Sequence, residues 1–148
     1  MQSAWSPARL SRARWATRTQ FLNLGFVAGI WGVHVPSLKA HYALDERALA
    51  GALLAMSLGS VLTLTIAGRT VGKLGARNTA VLSGWGFCLA LALSIVLPGF
   101  WALIPAMLLL GASESVFDVA INAEGTTLET LSGRGVMSGF HGMFSLGA

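Results

Sequence analysis

The sequence predicts an all-α membrane protein with four complete membrane-spanning helices and the start of a fifth. Hydrophobic residues make up 54% of the chain and charged residues only 11%, whereas a soluble domain carries about 25% charged residues. The apolar residues also form long uncharged runs, and about 20 helical residues are enough to cross a hydrocarbon layer of about 30 Å. The lipid bilayer is therefore the predicted environment of most side chains.

The uncharged runs define the spans in order. Residues 78–113 contain no charged residue, which is too long for one crossing, and the Pro98-Gly99 pair divides this run in two. Residues 1–18 form a basic N-terminus, and apolar character returns at residue 136, where a fifth helix is predicted to start. Because the sequence stops at Ala148, we expect a piece of a larger protein. The four spans are predicted at residues 19–38, 48–67, 79–97 and 100–121.

The positive charges indicate an orientation in the membrane. The net charge is +4, but Lys and Arg flank the spans instead of forming one basic groove, which argues against nucleic acid as a partner. With the N-terminus in the cytoplasm, eight Lys and Arg residues fall inside and two, Lys39 and Arg47, fall outside. Short cytoplasmic segments are enriched in these residues, so a cytoplasmic N-terminus is predicted.

The spans are rich in small residues. Gly25 and Gly29 are four residues apart in the first span and therefore share one helix face. Small side chains let helices approach closely in lipid, where no hydrophobic force drives their association. We expect ordinary helix packing along this face.

The segment after the second span reads Gly-Arg-Thr-Val-Gly-Lys-Leu-Gly-Ala-Arg from residue 68 to residue 77. It resembles the loop between helices two and three of the major facilitator superfamily, with matches at Gly68, Lys73, Gly75 and Arg77. The resemblance implies a gate loop on the cytoplasmic side. Gly72 stands where the family usually has Asp, so the role of that Asp is not carried over.

A second resemblance involves the C-terminal part of the chain. Residues 117–125, Glu129, Arg134, Met137 and residues 140–147 are similar to bacterial inner-membrane transporters of the fucose-permease-like kind within the same superfamily. The resemblance implies a protein of about twelve helices in two halves. This chain would supply the N-terminal part, the remaining C-terminal half would be its partner, and the location would be the bacterial inner membrane.

Glu114 and Asp118 are the main candidates for chemistry. They lie four residues apart inside the fourth span and share one helix face, which Asn122 extends by another turn. A carboxylate at membrane depth is unfavourable unless it is paired, protonated or facing water. Burial and a neighbouring like charge favour the protonated form, as a proton carrier requires. The alternative is that Asp118 and Asn122 lie near the cytoplasmic end and are simply solvated.

Fucose/proton symporters use a fourth-helix Glu to carry the proton, and the resemblance gives Glu114 this role. Those symporters also use an acid in the first helix, which this sequence lacks. This departure leaves proton coupling open.

The first span offers a second candidate surface. Asn23 and His34 are eleven residues apart and therefore point the same way, with Trp31 near the same stripe. This face could line a substrate cavity, where Trp31 would stack on a sugar or another ring. Alternatively, His34 reaches the outer interface and Asn23 bonds a neighbouring helix. His141, at the start of the fifth helix, could titrate or bind substrate, or make a single structural hydrogen bond.

These observations and resemblances predict a secondary active transporter of a small polar solute, with a sugar-like solute and proton symport as the leading interpretation. The competing interpretation is a truncated or accessory membrane module without transport activity. The sequence contains no nucleophile triad, no clustered metal-ligand spacing and no phosphate-binding Gly loop. An enzyme is therefore not expected, and no cofactor or metal is predicted.

Overall fold

The computed structural model describes residues 5–148 and contains five helices in this range. Over these residues it shows no strand, so the predicted all-α class is confirmed. Four of the helices, α1 to α4, are long and apolar enough to cross a membrane. The helices are α1 (Pro7–His41), α2 (Glu46–Leu74), α3 (Ala76–Val96), α4 (Phe100–Ser132) and α5 (Met137–Gly147).

The long helices extend beyond the predicted spans. The helix α1 has 35 residues and is about 52 Å long at 1.5 Å per residue, which exceeds the hydrocarbon thickness of about 30 Å. Hydropathy identifies only the apolar part of a helix. It does not detect the polar residues that continue the backbone hydrogen bonds of the helix beyond that part. Pro36 and Pro105 lie inside α1 and α4 without ending either helix.

Two predicted connections are shorter than expected. The segment 68–77, expected as a loop, is helical up to Leu74, and only Gly75, with φ of 80°, separates α2 from α3. Gly68 and Gly72 lie within α2 without ending it, and the helix ends only where Gly75 adopts a positive φ. The fourth helix likewise continues beyond the predicted end of its span at residue 121, up to Ser132. The prediction of a loop from residue 68 was wrong as far as Leu74.

The exposed surface is apolar. Between 17% and 33% of the residues in the most apolar segment of each long helix are buried. Large side chains such as Trp101 and Trp85 are 84% and 74% exposed. An exposed apolar surface of this extent is unfavourable in water, whereas lipid solvates it. The pattern is that of a chain whose outer surface meets hydrocarbon.

The chain divides into two compact units, one formed by residues 5–33 with Ile121–Ala148 and the other by His34–Ala120. In the second unit, α2 and α4 approach closely at two glycines. A Cβ atom at Gly59 would lie 2.9 Å from the Leu108 carbonyl carbon, and one at Gly111 would lie 2.8 Å from the Met56 carbonyl carbon. Both distances are shorter than ordinary carbon contacts of about 3.5–4.0 Å. Glycine is therefore required on both helices.

Hydroxyl groups add hydrogen bonds in the same unit. The Ser60 hydroxyl donates to the Gly111 carbonyl oxygen at 2.9 Å, directly beside the glycine contact. The Tyr42 hydroxyl is within 3.0 Å of the Ser94 carbonyl oxygen and 2.7 Å of the Leu97 carbonyl oxygen. The last carbonyl groups of α3 have no hydrogen-bond donor within that helix, and the Tyr42 hydroxyl supplies a donor there. Burial raises the pKa of Tyr42 above its usual value, which keeps the hydroxyl protonated as a donor.

In the first unit, α5 packs against the N-terminal part of α1. Phe21 is 1% exposed and stacks on the fully buried Phe140, with ring centroids 5.6 Å apart. A Cβ atom at Gly25 would lie 2.8 Å from the Phe144 carbonyl carbon, and one at Gly29 would lie 2.7 Å from the Ala148 oxygen. The expectation that Gly25 and Gly29 form a helix-packing face is confirmed.

Candidate functional site

Glu114 lies on the buried stripe of α4. The stripe begins with Leu103, Met107 and Leu110, each 0% exposed. Glu114 follows Leu110 by four residues and Met107 by seven, which places its side chain on the same helix face. Glu114 itself is half-buried. The sequence therefore positions a carboxyl group on a face of α4 whose preceding buried residues, Leu103, Met107 and Leu110, are apolar.

Asp118 and Asn122 continue along α4 toward its C-terminal end. Asp118, one turn after Glu114, is exposed, and Asn122, a further turn on, is half-buried. Four residues turn a helix by about 400°, which is about 40° more than a full turn. Each of these residues is therefore rotated by about 40° around the helix axis relative to the one four positions before it. The three polar side chains thus form an inclined row along α4, in which Asp118 is exposed and Glu114 and Asn122 are half-buried.

The α1 candidates lie on the open side of that helix. In the first unit, Asn23 is exposed together with Phe26, which is 58% exposed, and Ile30, which is 42% exposed. This side is opposite the packed residues Phe21 and Gly25. Trp31 is half-buried. The predicted stripe is therefore a surface available to solute, lipid or another part of the protein.

His34 and His141 belong to different units, and each is exposed. The His141 ring meets the edge of Phe21 with centroids 5.2 Å apart and an angle of 78° between the ring planes. His141 thus sits against the α1–α5 packing contact of the first unit, and its ring remains accessible.

The predicted gate residues lie around the α2–α3 junction. Gly68 and Lys73 are exposed on the last turns of α2, Gly75 forms the break, and Arg77 is exposed in the first turn of α3. A Cβ atom at Gly68 would meet no neighbour within 4 Å. These residues are therefore exposed on the surface of the second unit.

Sequence reasoning did not identify the helix-capping function of Glu129. The side chain of Glu129, on α4, accepts hydrogen bonds from the backbone N–H groups of Val136 at 2.7 Å and Met137 at 2.9 Å. These groups begin α5, whose own first residues supply no side-chain cap. A helix N-terminus favours a negative charge and a hydrogen-bond acceptor. Since Glu129 precedes α5 by eight residues, no local capping pattern predicts this contact.

A mainly apolar groove of about 290 Å³ was also not predicted. It lies within the second unit, and neither Glu114 nor Asp118 lines it. The Thr79 hydroxyl donates a hydrogen bond to the Gly75 carbonyl oxygen at 2.9 Å, and the Ser83 hydroxyl donates to the Thr79 carbonyl oxygen at 2.6 Å, so both hydroxyl protons are used within the chain. Its lining consists of Thr63, Thr70, Leu74, Thr79, Leu82, Ser83, Gly86, Ala112, Ser113 and Val116.

Comparison with known proteins gives three relatives. The chain is 36% identical to an uncharacterized MFS-type transporter of Yersinia pestis over 132 residues, which is 89% of this chain and 34% of the relative. It is 33% identical to an uncharacterized transporter of Sinorhizobium fredii, over 86% of this chain and 34% of the relative. It is 29% identical to the membrane protein MosC of Rhizobium meliloti, over 89% of this chain and 32% of the relative.

The chain spans about a third of the length of these curated relatives. No family model matches it, and no solved structure matches it. Four helices of the described residues are long and apolar enough to cross a membrane, as expected of a multi-pass protein in contact with the lipid bilayer, and most of this chain is similar to about a third of an MFS-type transporter. The names of these relatives specify neither a sugar nor a coupling ion.

Proposed function

We propose that this chain forms the N-terminal part of a secondary active transporter that moves a small polar solute, such as a sugar, together with protons. The observation that carries this proposal is the position of Glu114 on the buried stripe of α4. A carboxyl group at membrane depth is retained at an energetic penalty and therefore commonly marks an ion or proton pathway. Glu114 would bind the proton, and Asp118 and Asn122 would connect it to solvent.

The solute would be recognised on the open side of α1. Asn23 offers both a donor and an acceptor for a hydroxyl group, and Trp31 offers an apolar ring face for a sugar ring. His34 and His141 are further accessible ring donors or acceptors. In this proposal the remaining helices of the transporter would close the cavity around these residues, as in transporters built from two halves around a central site.

The proposed setting is the bacterial inner membrane with the N-terminus in the cytoplasm. The concentration of Lys and Arg in residues 1–18 and 68–77 supports this orientation. The α2–α3 junction with Gly68, Lys73, Gly75 and Arg77 would then form part of the cytoplasmic gate.

The test uses the transporter that contains this chain, expressed in bacterial cells. A panel of sugars and polyols is added to lightly buffered, energy-depleted cells, and the external pH is recorded. A transported solute should cause alkalinisation as protons enter with it. Glu114→Gln should abolish the alkalinisation and uphill accumulation while preserving exchange of labelled solute, because Gln keeps the size of Glu but cannot release a proton.

Glu46→Gln is the matched control, since Glu46 is an exposed acid in the first turn of α2. It should leave alkalinisation unchanged. Asp118→Asn combined with Glu114→Gln tests whether Asp118 can take over the proton. Proton-coupled accumulation that persists in the double variant would show that these carboxyl groups are structural.

A further inference from the structure

The first turns of α1 form a strongly basic segment outside the apolar span. The helix begins at Pro7, twelve residues before residue 19, where the predicted first span starts, and these residues extend about 18 Å along the helix axis. Four arginines lie in this segment, and the first acidic residue of the chain is Asp45. The segment therefore carries as much positive charge as the net charge of the whole chain, +4.

Two of these arginines stack on tryptophan rings. The Arg9 guanidinium carbon lies 4.3 Å from the centre of the Trp5 ring, and that of Arg18 lies 4.8 Å from the centre of the Trp15 ring. Trp5 is 37% exposed and Trp15 is 60% exposed. Trp15 precedes the predicted span by four residues, or about 6 Å, which is the depth of the headgroup layer where indole rings are enriched.

Stacking leaves the edges of the guanidinium groups available. A cation–π contact restricts the side chain, and since an aromatic ring offers no oxygen acceptor, the several N–H donors of the guanidinium group keep their capacity to bind oxygen atoms. The donors match the geometry of phosphate oxygens, which they bind in pairs. Each arginine–tryptophan pair is thus preorganised for a phosphate group beside an apolar surface.

The arginines surround the helix. At 100° per residue, Arg9 and Arg12 lie on one side of the axis, and Arg14 and Arg18 lie on the other. A helix lying flat on a membrane surface would need its charges on one face, whereas a helix that crosses the headgroup layer meets phosphates on every side. The distribution fits a crossing helix.

We infer that this segment is a basic collar that binds the phosphate groups of anionic phospholipids around α1. Trp15 fixes its depth in the interface, and its arginines select negative headgroups over zwitterionic ones. The collar consists of Trp5, Arg9, Arg12, Arg14, Trp15 and Arg18.

The test places the full chain in lipid nanodiscs of equal amounts of phosphatidylglycerol and phosphatidylcholine. Native mass spectrometry then counts the molecules of each lipid that stay bound after extraction. The unmodified chain should retain phosphatidylglycerol preferentially. Changing all four collar arginines to Gln should lower this preference by about tenfold or more, since each basic residue near an anionic surface contributes appreciably to binding.

The matched control removes charge elsewhere, by Arg69→Gln, Lys73→Gln and Arg77→Gln together, and should keep most of the preference. An equal loss in this control would show that charge anywhere on the chain is sufficient, which overturns a specific collar. Trp5→Leu with Trp15→Leu preserves every charge and should lower the preference in part. An unchanged preference in this tryptophan variant would refute the stacked arrangement.

Two measurements on the unmodified chain do not depend on the folding of any variant. Raising the ionic strength should weaken retention of phosphatidylglycerol, because exposed charges are screened. Retention that is insensitive to salt would contradict the inference. Excess inorganic phosphate at constant ionic strength should leave the lipid bound, and displacement by phosphate would show a site for free phosphate instead.

Discussion

The contact between α2 and α4 should fail when a single methyl group is added at Gly59. A Cβ atom there would lie 2.9 Å from the Leu108 carbonyl carbon and 3.1 Å from the Ala112 nitrogen. Ordinary carbon contacts are about 3.5–4.0 Å, so the two helices would have to separate by roughly 1 Å. The separation would also lengthen the hydrogen bond from Ser60 to Gly111, which is now 2.9 Å.

The magnitude follows from three contributions. Overpacking of a close contact typically destabilises by about 1–3 kcal/mol, and loss of a hydrogen bond inside a membrane protein contributes about 0.6 kcal/mol. Alanine is more favourable than glycine in a helix by about 1 kcal/mol, which opposes both. The net destabilisation of Gly59→Ala should therefore be about 0.5–2.5 kcal/mol.

Gly68→Ala is the matched control on the same helix. Gly68 lies nine residues after Gly59, on the opposite face of α2, and a Cβ atom there meets no neighbour within 4 Å. It should gain helix propensity alone, so the two variants should differ by about 1.5–3.5 kcal/mol. Unfolding of the purified chain by sodium dodecyl sulfate, followed by circular dichroism, measures this difference. Equal stability of the two variants would refute the close approach of α2 and α4.

Two further predictions concern the start of α5 and the orientation of the chain. Glu129→Ala removes the acceptor for the backbone N–H groups that begin α5, so these amides should exchange hydrogen faster, by an amount corresponding to about 1 kcal/mol. Glu129→Gln should lie in between, and unchanged exchange in the alanine variant would exclude a capping role. Cysteines introduced at Ser11 and Asn78, with the native Cys88 changed to Ser, should resist a membrane-impermeant thiol reagent in intact cells and react after the membranes are opened. Labelling of both positions in intact cells would reverse the proposed topology.

The sequence was sufficient to predict the helices of this protein because the bilayer imposes a simple requirement. Backbone groups in hydrocarbon must be satisfied within the segment, so every long apolar run becomes a helix. The sequence could not predict where these helices end. Polar residues continue α2 to Leu74 and α4 to Ser132, since a helix stops at a backbone feature such as Gly75 and not at a change of hydropathy.

The candidate site was likewise predicted only in part. The spacing of Glu114, Asp118 and Asn122 follows from the sequence, because residues four apart on a helix share a face by geometry alone. Which of these residues lies on the packed face of α4 depends on which side of the helix meets its neighbours. The sequence does not reveal that side, because an apolar helix carries apolar residues on every side. The buried stripe on which Glu114 lies was therefore decided by tertiary packing.

Contacts between distant residues were decided only by the tertiary structure. The Tyr42 hydroxyl reaches the end of α3 more than fifty residues away, and Glu129 begins a helix to which it does not belong. Glycine spacing predicted a packing face on α1, but it could not distinguish Gly59, which contacts α4, from Gly68, which contacts nothing within 4 Å. In lipid, apolar side chains are equally well solvated on every face of a helix. Helix partners are therefore selected by complementary shape and by hydrogen bonds between helices. Both depend on the packed structure and not on the sequence of one helix.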